Sequence, residues 1–312
     1  YTTYGDLDDR SEEIVQEEEV VEEVSESASV LEDLEVDGVE LDGVVIKSEA
    51  WVDNPTTGDR QSVRLYEPSE LGTWPMVVLI PGGSGDGSSF ERSNLDGPDS
   101  TSDAVMLAAE GFVVVVYSPL GTGESEGEVN YQGYDDQDGL AAIIPAVSDL
   151  PSVDGENIGL ASCSYGATGA AGVLARYPEL GVKYWSDWEG PSSREFTTVG
   201  CTGRDLGIIS PANLDCEDDN VWVEREAAEF AKILSVNYYW RIQEEDDHVQ
   251  STYGHTLEMV NNAVENENMP WVKLNDGDVN ATYRAVTVPA VANASHFDVY
   301  AMPHITAMSE ME

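Results

Sequence analysis

The stretch Ile158-Gly159-Leu160-Ala161-Ser162-Cys163-Ser164-Tyr165-Gly166, continuing into Ala167-Thr168-Gly169-Ala170-Ala171-Gly172-Val173-Leu174, decides the fold. Its first part is an apolar run of strand length. Its second part is a helix made almost wholly of Ala and Gly. A chain that passes from strand to helix within two or three residues folds back on itself, so the positions either side of the turn must be small. Ser162 and Gly166 meet that need. Such a turn lifts the Ser164 hydroxyl above the end of the strand, and the helix N-terminus behind it favours negative charge there. The Ala and Gly positions let the helix pack close to the sheet.

Outward from this turn, apolar strands alternate with helical stretches. MVVLIP (76–81), FVVVVYSP (112–119), NIGLASC (157–163) and KYWSDWEG (183–190) read as strands. TSDAVMLAAEG, ending at Gly111, DDQDGLAAIIPAVSDL and GATGAAGVLARYPE read as helices. Strands that are apolar on both faces, alternating with helices, specify an α/β fold: a mostly parallel sheet with helices on both faces. Two runs before them, VVIKSEAWV and QSVRLYEP, flank the turn Asn54-Pro55-Thr56-Thr57-Gly58 and give the sheet an antiparallel start. Residues 1–43 form an acidic N-terminal arm in which Val and Ile recur among Glu. If ordered, an arm of that charge needs its own domain or a neighbouring subunit to pack on. The domain proper is read as 44–312, with an insertion at about 191–236 that would lie as a small cap over the carboxyl ends of the strands. NYYWRIQEEDD returns to strand, HTLEMVNNAVE to helix and PWVKLND to strand. The residues after that show no readable period.

The chain has 312 residues, 61 acidic and 14 basic, and a net charge of −47. That excludes nucleic-acid binding by phosphate neutralisation. A hydrophobic content of 41% excludes wholesale disorder, and no run approaches the roughly 18 apolar residues of a membrane span. Only Lys47, Lys183, Lys232 and Lys273 are lysines. Self-repulsion of this size destabilises a compact state in dilute buffer. It is screened at molar salt, where the Debye length is about 3 Å. The expectation is a halophilic protein of archaeal type. Cys201 and Cys216 bracket a loop and can pair if the protein is exported, whereas Cys163 reads as buried. Asn280 and Asn293 open Asn-Ala-Thr and Asn-Ala-Ser glycosylation sequons. Tyr1 in place of an initiating Met leads to the expectation of a processed N-terminus. Together these lean towards an extracellular protein.

These segments resemble the α/β-hydrolase superfamily, in its dienelactone-hydrolase and prolyl-oligopeptidase-like branches, over about residues 60 to 280. VVLIPGGSG (77–85) is similar to the strand and oxyanion loop of that family. VVVVYSPLGTGESEGE (113–128) is similar to its next strand and turn, GLASCSYGA to its nucleophile elbow, and RIQEEDDHV (241–249) to the segment that carries its acid. The resemblance implies a serine hydrolase of esters or amides. Ser164 would be the nucleophile and Asp247 the acid. The backbone N–H of Tyr165 and that of Gly82 or Gly83 would form the oxyanion hole. No cofactor and no metal are implied. The residues agree with that chemistry: acyl transfer needs an activated hydroxyl, an imidazole within about 3 Å, an orienting carboxylate and two donors for the oxyanion.

Of the four histidines, none follows WVKLND directly. His296, after a short apolar segment, is the first choice for the triad and His304 the second. His248 adjoins the acid and would point away from it, and His255 opens a helix as a surface or capping residue. Asp187 is an alternative acid. Asp276, Asp278 and Asn280 alternate like calcium ligands but lack the Gly and bidentate Glu of such a loop, so they read as a solvated turn. Gly82–Gly87 lacks the Lys-Ser/Thr ending of a phosphate loop. The displaced His and the charged arm keep a second class open: a catalytically inactive hydrolase-fold subunit of an extracellular assembly, linked to copies of itself through the arm. The expected partner is thus a small ester or peptide substrate, or another copy of the chain.

Overall fold

The computed structural model describes residues 39–41, 45–91, 102–196, 214–215, 217–245, 249, 253–283 and 297–312. Strands β2 (Val45–Asp53) and β3 (Arg60–Pro68) pair antiparallel across a turn in which the Asn54 side chain accepts from the N–H groups of Thr56 and Thr57. A short edge strand, β1 (Val39–Leu41), lies within the acidic stretch and pairs antiparallel with β2. β3 pairs antiparallel with β5 (Val113–Tyr117). The rest is parallel: β4 (Trp74–Ile80), β6 (Val153–Cys163), β7 (Tyr184–Trp188), β8 (Tyr238–Ile242) and β9 (Trp271–Leu274). A two-residue strand, β10 (Gly277–Asp278), folds back on β9. The order across the sheet is β1-β2-β3-β5-β4-β6-β7-β8-β9-β10. This is the α/β-hydrolase fold.

The apolar strands are explained by two cores. Side chains of a strand alternate between faces. Val78, Ile80, Val113, Val115 and Leu160 pack on one side, with α2 (Tyr134–Ser148), α3 (Gly166–Arg176) and α6 (Gly254–Glu265). Val77, Leu79, Val114, Val116 and Ala161 pack on the other, with Leu107 of α1 (Asp103–Ala109) and with Ile305 and Met308 of α7 (Phe297–Ser309). Both faces are covered, so no polar alternation can be read in the sequence. Two short helices, α4 (Asp219–Val223) and α5 (Ala227–Ala231), come from the stretch expected as an insertion, and α5 packs on α3 and α6.

α7 is an element that sequence periodicity left unplaced. Its direction is fixed at its C-terminal end. The Ser309 carbonyl accepts from Asn157 Nδ2 (3.0 Å) and Lys183 Nζ (3.3 Å), and the Glu312 carbonyl from Tyr238 Oη (2.6 Å). Those donors sit at the beginnings of the parallel runs of β6, β7 and β8. α7 therefore runs against the strands. Its 13 residues rise about 20 Å, the length of a typical strand, so Phe297 stands at the carboxyl end of the sheet.

Halfway along α7, His304 stacks on Trp240 at 3.7 Å, while Lys273 Nζ lies 4.3 Å from the centre of the same indole. His304 is 9% exposed, and its Nδ1 has no hydrogen-bond partner among the described residues. Burial, with a smaller push from Lys273 against the pull of Asp276, lowers its pKa from 6.5 to about 4. The folded chain thus keeps this ring neutral while the unfolded chain takes up a proton. The stability this contributes is complete above pH 6.5 and is lost as the pH falls towards 4. His304→Phe keeps a ring against Trp240 and removes the proton. The difference in unfolding free energy between wild type and variant, measured by urea titration, should move by about 2–3 kcal/mol in the variant's favour across that window. A pH-independent difference would contradict this assignment.

Candidate active site

The sheet order reverses between β4 and β6: the chain leaves β4 for β5 on one side, then crosses to β6 on the other. Open parallel sheets bind ligands at such a switch point, beyond the carboxyl ends of the strands. Ser164 follows β6 and Gly82 follows β4. The two segments of the hydrolase resemblance therefore meet there.

Ser164 has φ 51°, in the left-handed region that a non-glycine residue enters at a cost of about 1 kcal/mol. The turn is held by Ser164 N–H donating to the Trp188 carbonyl (2.8 Å) and Ala167 N–H donating to the Ser164 carbonyl (3.0 Å). A side chain at Gly166 would meet the carbonyl oxygens of Ile80 and Pro81 at 2.6 and 2.8 Å. One at Gly82 would meet the Cys163 carbonyl at 2.7 Å and Ser164 Cβ at 2.8 Å. The loop after β4 and the elbow are thus in backbone contact, which only glycine permits. Ser162 fits the other shoulder because its side chain turns away: its hydroxyl accepts from Trp185 Nε1 (2.9 Å) inside the sheet. Tyr165 precedes the first turn of α3, where N–H groups have no intrahelical partner. Gly82 therefore abuts Ser164, and Tyr165 follows it at the head of α3. Cys163 is partly buried, burial pushes its thiol pKa up, and the protonated thiol is a poor nucleophile.

A wall of buried aromatics adjoins the turn through Tyr165. The Tyr165 and Tyr131 rings lie 4.5 Å apart, and Trp222 of α4 packs with them. Tyr131 and Gln132 have φ of 59° and 63°. That corner is pinned by Asp136, which accepts from Gln132 N–H (2.7 Å), and by Arg225, whose Nε donates to the Tyr131 carbonyl (3.1 Å). Burial raises the Asp136 pKa to about 6. Tyr131, Trp222 and Arg225 escaped sequence reasoning because Tyr131 stands some ninety residues before the other two in the chain.

Asp187, the alternative acid, is committed elsewhere. It lies inside β7, fully buried, in an ion pair with Arg241; Oδ2 also accepts from Tyr239 Oη (2.9 Å) and Oδ1 from Gly190 N–H (3.2 Å). His255 is a correction: it is fully buried in the first turn of α6, not a surface cap. Its Nδ1 lies 2.6 Å from Arg241 Nη2 and 2.9 Å from the Gly190 carbonyl. A guanidinium can only donate and a carbonyl can only accept, so the two contacts ask opposite roles of Nδ1. Asp276, Asp278 and Asn280 are exposed on the hairpin of β9 and β10. Asp247, His248, His296, Cys201, Cys216 and Asn293 lie outside the described residues, as does most of the acidic stretch 1–43.

Residues 57–188, which contain the elbow and the glycine loop, match the family model described as X-Pro dipeptidyl-peptidase (S15 family). Among solved structures the fold is similar to acetyl xylan esterase 1 from a Thermoanaerobacterium species, with TM-score 0.58 and 14% identity over 88% of this chain and 87% of that one. It is also similar to acylaminoacyl peptidase from Pyrococcus horikoshii, with TM-score 0.59 and 15% identity over 86% of this chain and 41% of the other. Dipeptidyl peptidase 4 from Porphyromonas gingivalis gives TM-score 0.58 and 16% identity over 85% and 35%. The chain spans less than half the length of the two peptidases and most of the length of the esterase. No protein of curated function matches it in sequence. The chain is a hydrolase-fold protein, related over residues 57–188 to the S15 peptidases.

Gly82→Ala tests the contact at the switch point. The added methyl has no room, so the loop after β4 must move away from Ser164, at about 1–3 kcal/mol. If the loop supplies an oxyanion donor, as the resemblance implies, the variant should fold with a lowered melting temperature and react with a fluorophosphonate at least about ten-fold more slowly than the wild type. Unchanged reactivity would show that the loop is not part of the site.

Proposed function

We propose that this protein is a serine hydrolase acting on an ester or amide carbonyl. One observation carries the reading: the left-handed turn at Ser164, at the carboxyl end of the central parallel strand and against the glycine loop after β4. Ser164 Oγ attacks the carbonyl carbon as its proton passes to His296. The oxyanion takes hydrogen bonds from the Tyr165 N–H and from that of Gly82 or Gly83. His296 returns the proton to the leaving alcohol or amine, and a water repeats the sequence to release the acid. Asp247 orients the imidazole. The course of the chain supports both partners. β8 ends at Ile242, five positions before Asp247 in the sequence, and α7 begins at Phe297, the position after His296. The relation to S15 peptidases supports a peptide or ester substrate.

We propose further that the enzyme works in concentrated salt, as the net charge of −47 and the four lysines suggest, and outside the cell, as the Cys201/Cys216 pair and the sequons at Asn280 and Asn293 suggest. Two measurements test these readings. In molar KCl, a fluorophosphonate probe should label the wild type and leave Ser164→Ala unlabelled. An unlabelled wild type beside a labelled control esterase would overturn the enzymatic reading and favour an inactive subunit. Melting temperature should climb by about 10 °C or more between 0.1 and 3 M KCl as repulsion is screened. A flat profile would remove the halophilic reading.

A further inference from the structure

We infer that Glu189, Gln243 and Asn275 form a buried clamp that positions the segment leaving β8, and through it the triad acid. The three residues come from three neighbouring strand ends. Glu189 follows β7, Gln243 follows β8 and Asn275 follows β9. Each is less than 5% exposed.

Their hydrogen bonds converge on two residues at the start of that segment. Asn275 grips the Gln243 backbone with both arms of its amide: Oδ1 accepts from Gln243 N–H (2.8 Å) and Nδ2 donates to the Gln243 carbonyl (3.0 Å). Glu189 Oε1 accepts from Gln243 Nε2 (2.9 Å) and from Glu244 N–H (2.6 Å). Thr256 of α6 donates to Gln243 Oε1. Gln243 Nε2 also donates to the Glu244 carbonyl (3.0 Å). The backbone at residues 243 and 244 is therefore fixed by side chains from both neighbouring strands.

Two features tie this clamp to the elbow. Glu189 directly follows Trp188, whose carbonyl takes the Ser164 N–H, and its own N–H donates to the Ile242 carbonyl (3.1 Å). One short run of backbone thus joins the turn at Ser164 to the end of β8. Glu189 and Asn275 also both hold left-handed backbone, with φ of 49° and 50°. Non-glycine residues in that region persist where the surroundings over-determine them, and such positions cluster at functional sites. Here both strained residues aim their side chains at Gln243, four positions before Asp247 in the sequence, and Glu189 reaches Glu244 as well.

This inference rests on the serine-hydrolase reading, and the experiment separates the two. Asn275→Gly accepts the left-handed backbone and deletes both amide arms. Glu189→Gly does the same on the other side, and Glu189→Gln keeps an acceptor oxygen. With p-nitrophenyl acetate in molar KCl, both glycine variants should lose about 10- to 100-fold in kcat, the penalty of a misplaced catalytic group, with KM changed by less than about three-fold. Glu189→Gln should stay within about three-fold of wild type. In an Asp247→Asn background, adding Asn275→Gly should cost no more than about two-fold, because the group it positions is already gone. Hydrogen exchange in the peptide 243–249 should quicken in both glycine variants while β6 and β7 stay protected. That readout holds even if the wild type hydrolyses nothing, a result that would remove the serine-hydrolase reading alone. The clamp is overturned by unchanged exchange in that peptide, by full additivity with Asp247→Asn, or by Glu189→Gln losing as much as Glu189→Gly. The last result would mean that the charge of Glu189 is required, which a clamp made of neutral hydrogen bonds does not need.

Discussion

The backbone contact between the loop after β4 and the turn at Ser164 constrains everything around it. Gly82 lies so close to Cys163 and Ser164 that no side chain fits, and Gly166 lies as close to the Ile80 and Pro81 carbonyls. Two strand ends can approach this closely only if β4 and β6 are neighbours in register. They are, with Ile80 opposite Ser162. That neighbourhood in turn requires the crossover from β5 to β6 to pass over one face, which α2 does. The same constraint explains the Ala- and Gly-rich start of α3, since a helix leaving so tight a turn runs directly over the strand it left. A left-handed Ser164 is the cost of this arrangement, and its hydrogen bond to the Trp188 carbonyl offsets part of it.

The polar interior between β7, β8 and α6 adds a second layer. Taking Asp187 and Arg241 out of water is costly, and the pair is worth keeping only if the remaining donors and acceptors are met. They are met by Tyr239, Gly190, Thr256 and His255. An apolar core of equal volume could match its stability but not its directionality. Here the directionality has an evident use: the network holds Gly190, whose neighbour Glu189 reaches Gln243 and Glu244. Rigidity at the carboxyl ends of the strands is what a site built from separate loops requires.

Legibility in the sequence followed physical clarity. Val113–Tyr117, apolar on both faces, can only be a strand inside a covered sheet, and Ser162–Gly166 can only be a tight turn. α7 was unreadable because Val299, Ala301, Met302, Ile305, Ala307 and Met308 are spread around the helix and Pro303 interrupts it. β1 was hidden in the acidic stretch, because three residues are too few for an alternation to show. His255 was misjudged for a different reason. A histidine opening a helix resembles a cap, and only the tertiary position of Arg241, fourteen residues earlier in the chain, buries it. The aromatic wall and the clamp are likewise products of topology. Their members come from different loops, and none carries a local pattern of its own.

The charge of the chain looks indifferent to this architecture, yet the arginines show otherwise. Arg60, Arg64, Arg176, Arg194, Arg225 and Arg241, all those whose side chains lie among the described residues, are in ion pairs. Arg241 is fully buried, and Arg64 and Arg225 are largely so. Salt screens exposed pairs far more than buried ones. In a solvent of molar ionic strength a surface lysine therefore contributes little by pairing, while a planar guanidinium inside the fold keeps both its attraction and its geometry. Arg60 and Arg194 pair at the surface, but Arg64, Arg225 and Arg241 stand where screening is weak. Of these, Arg225 steadies the Tyr131 corner that packs on Tyr165, and Arg241 steadies the ends of β7 and β8. The two most deeply buried of the described arginines thus both brace elements that adjoin Ser164.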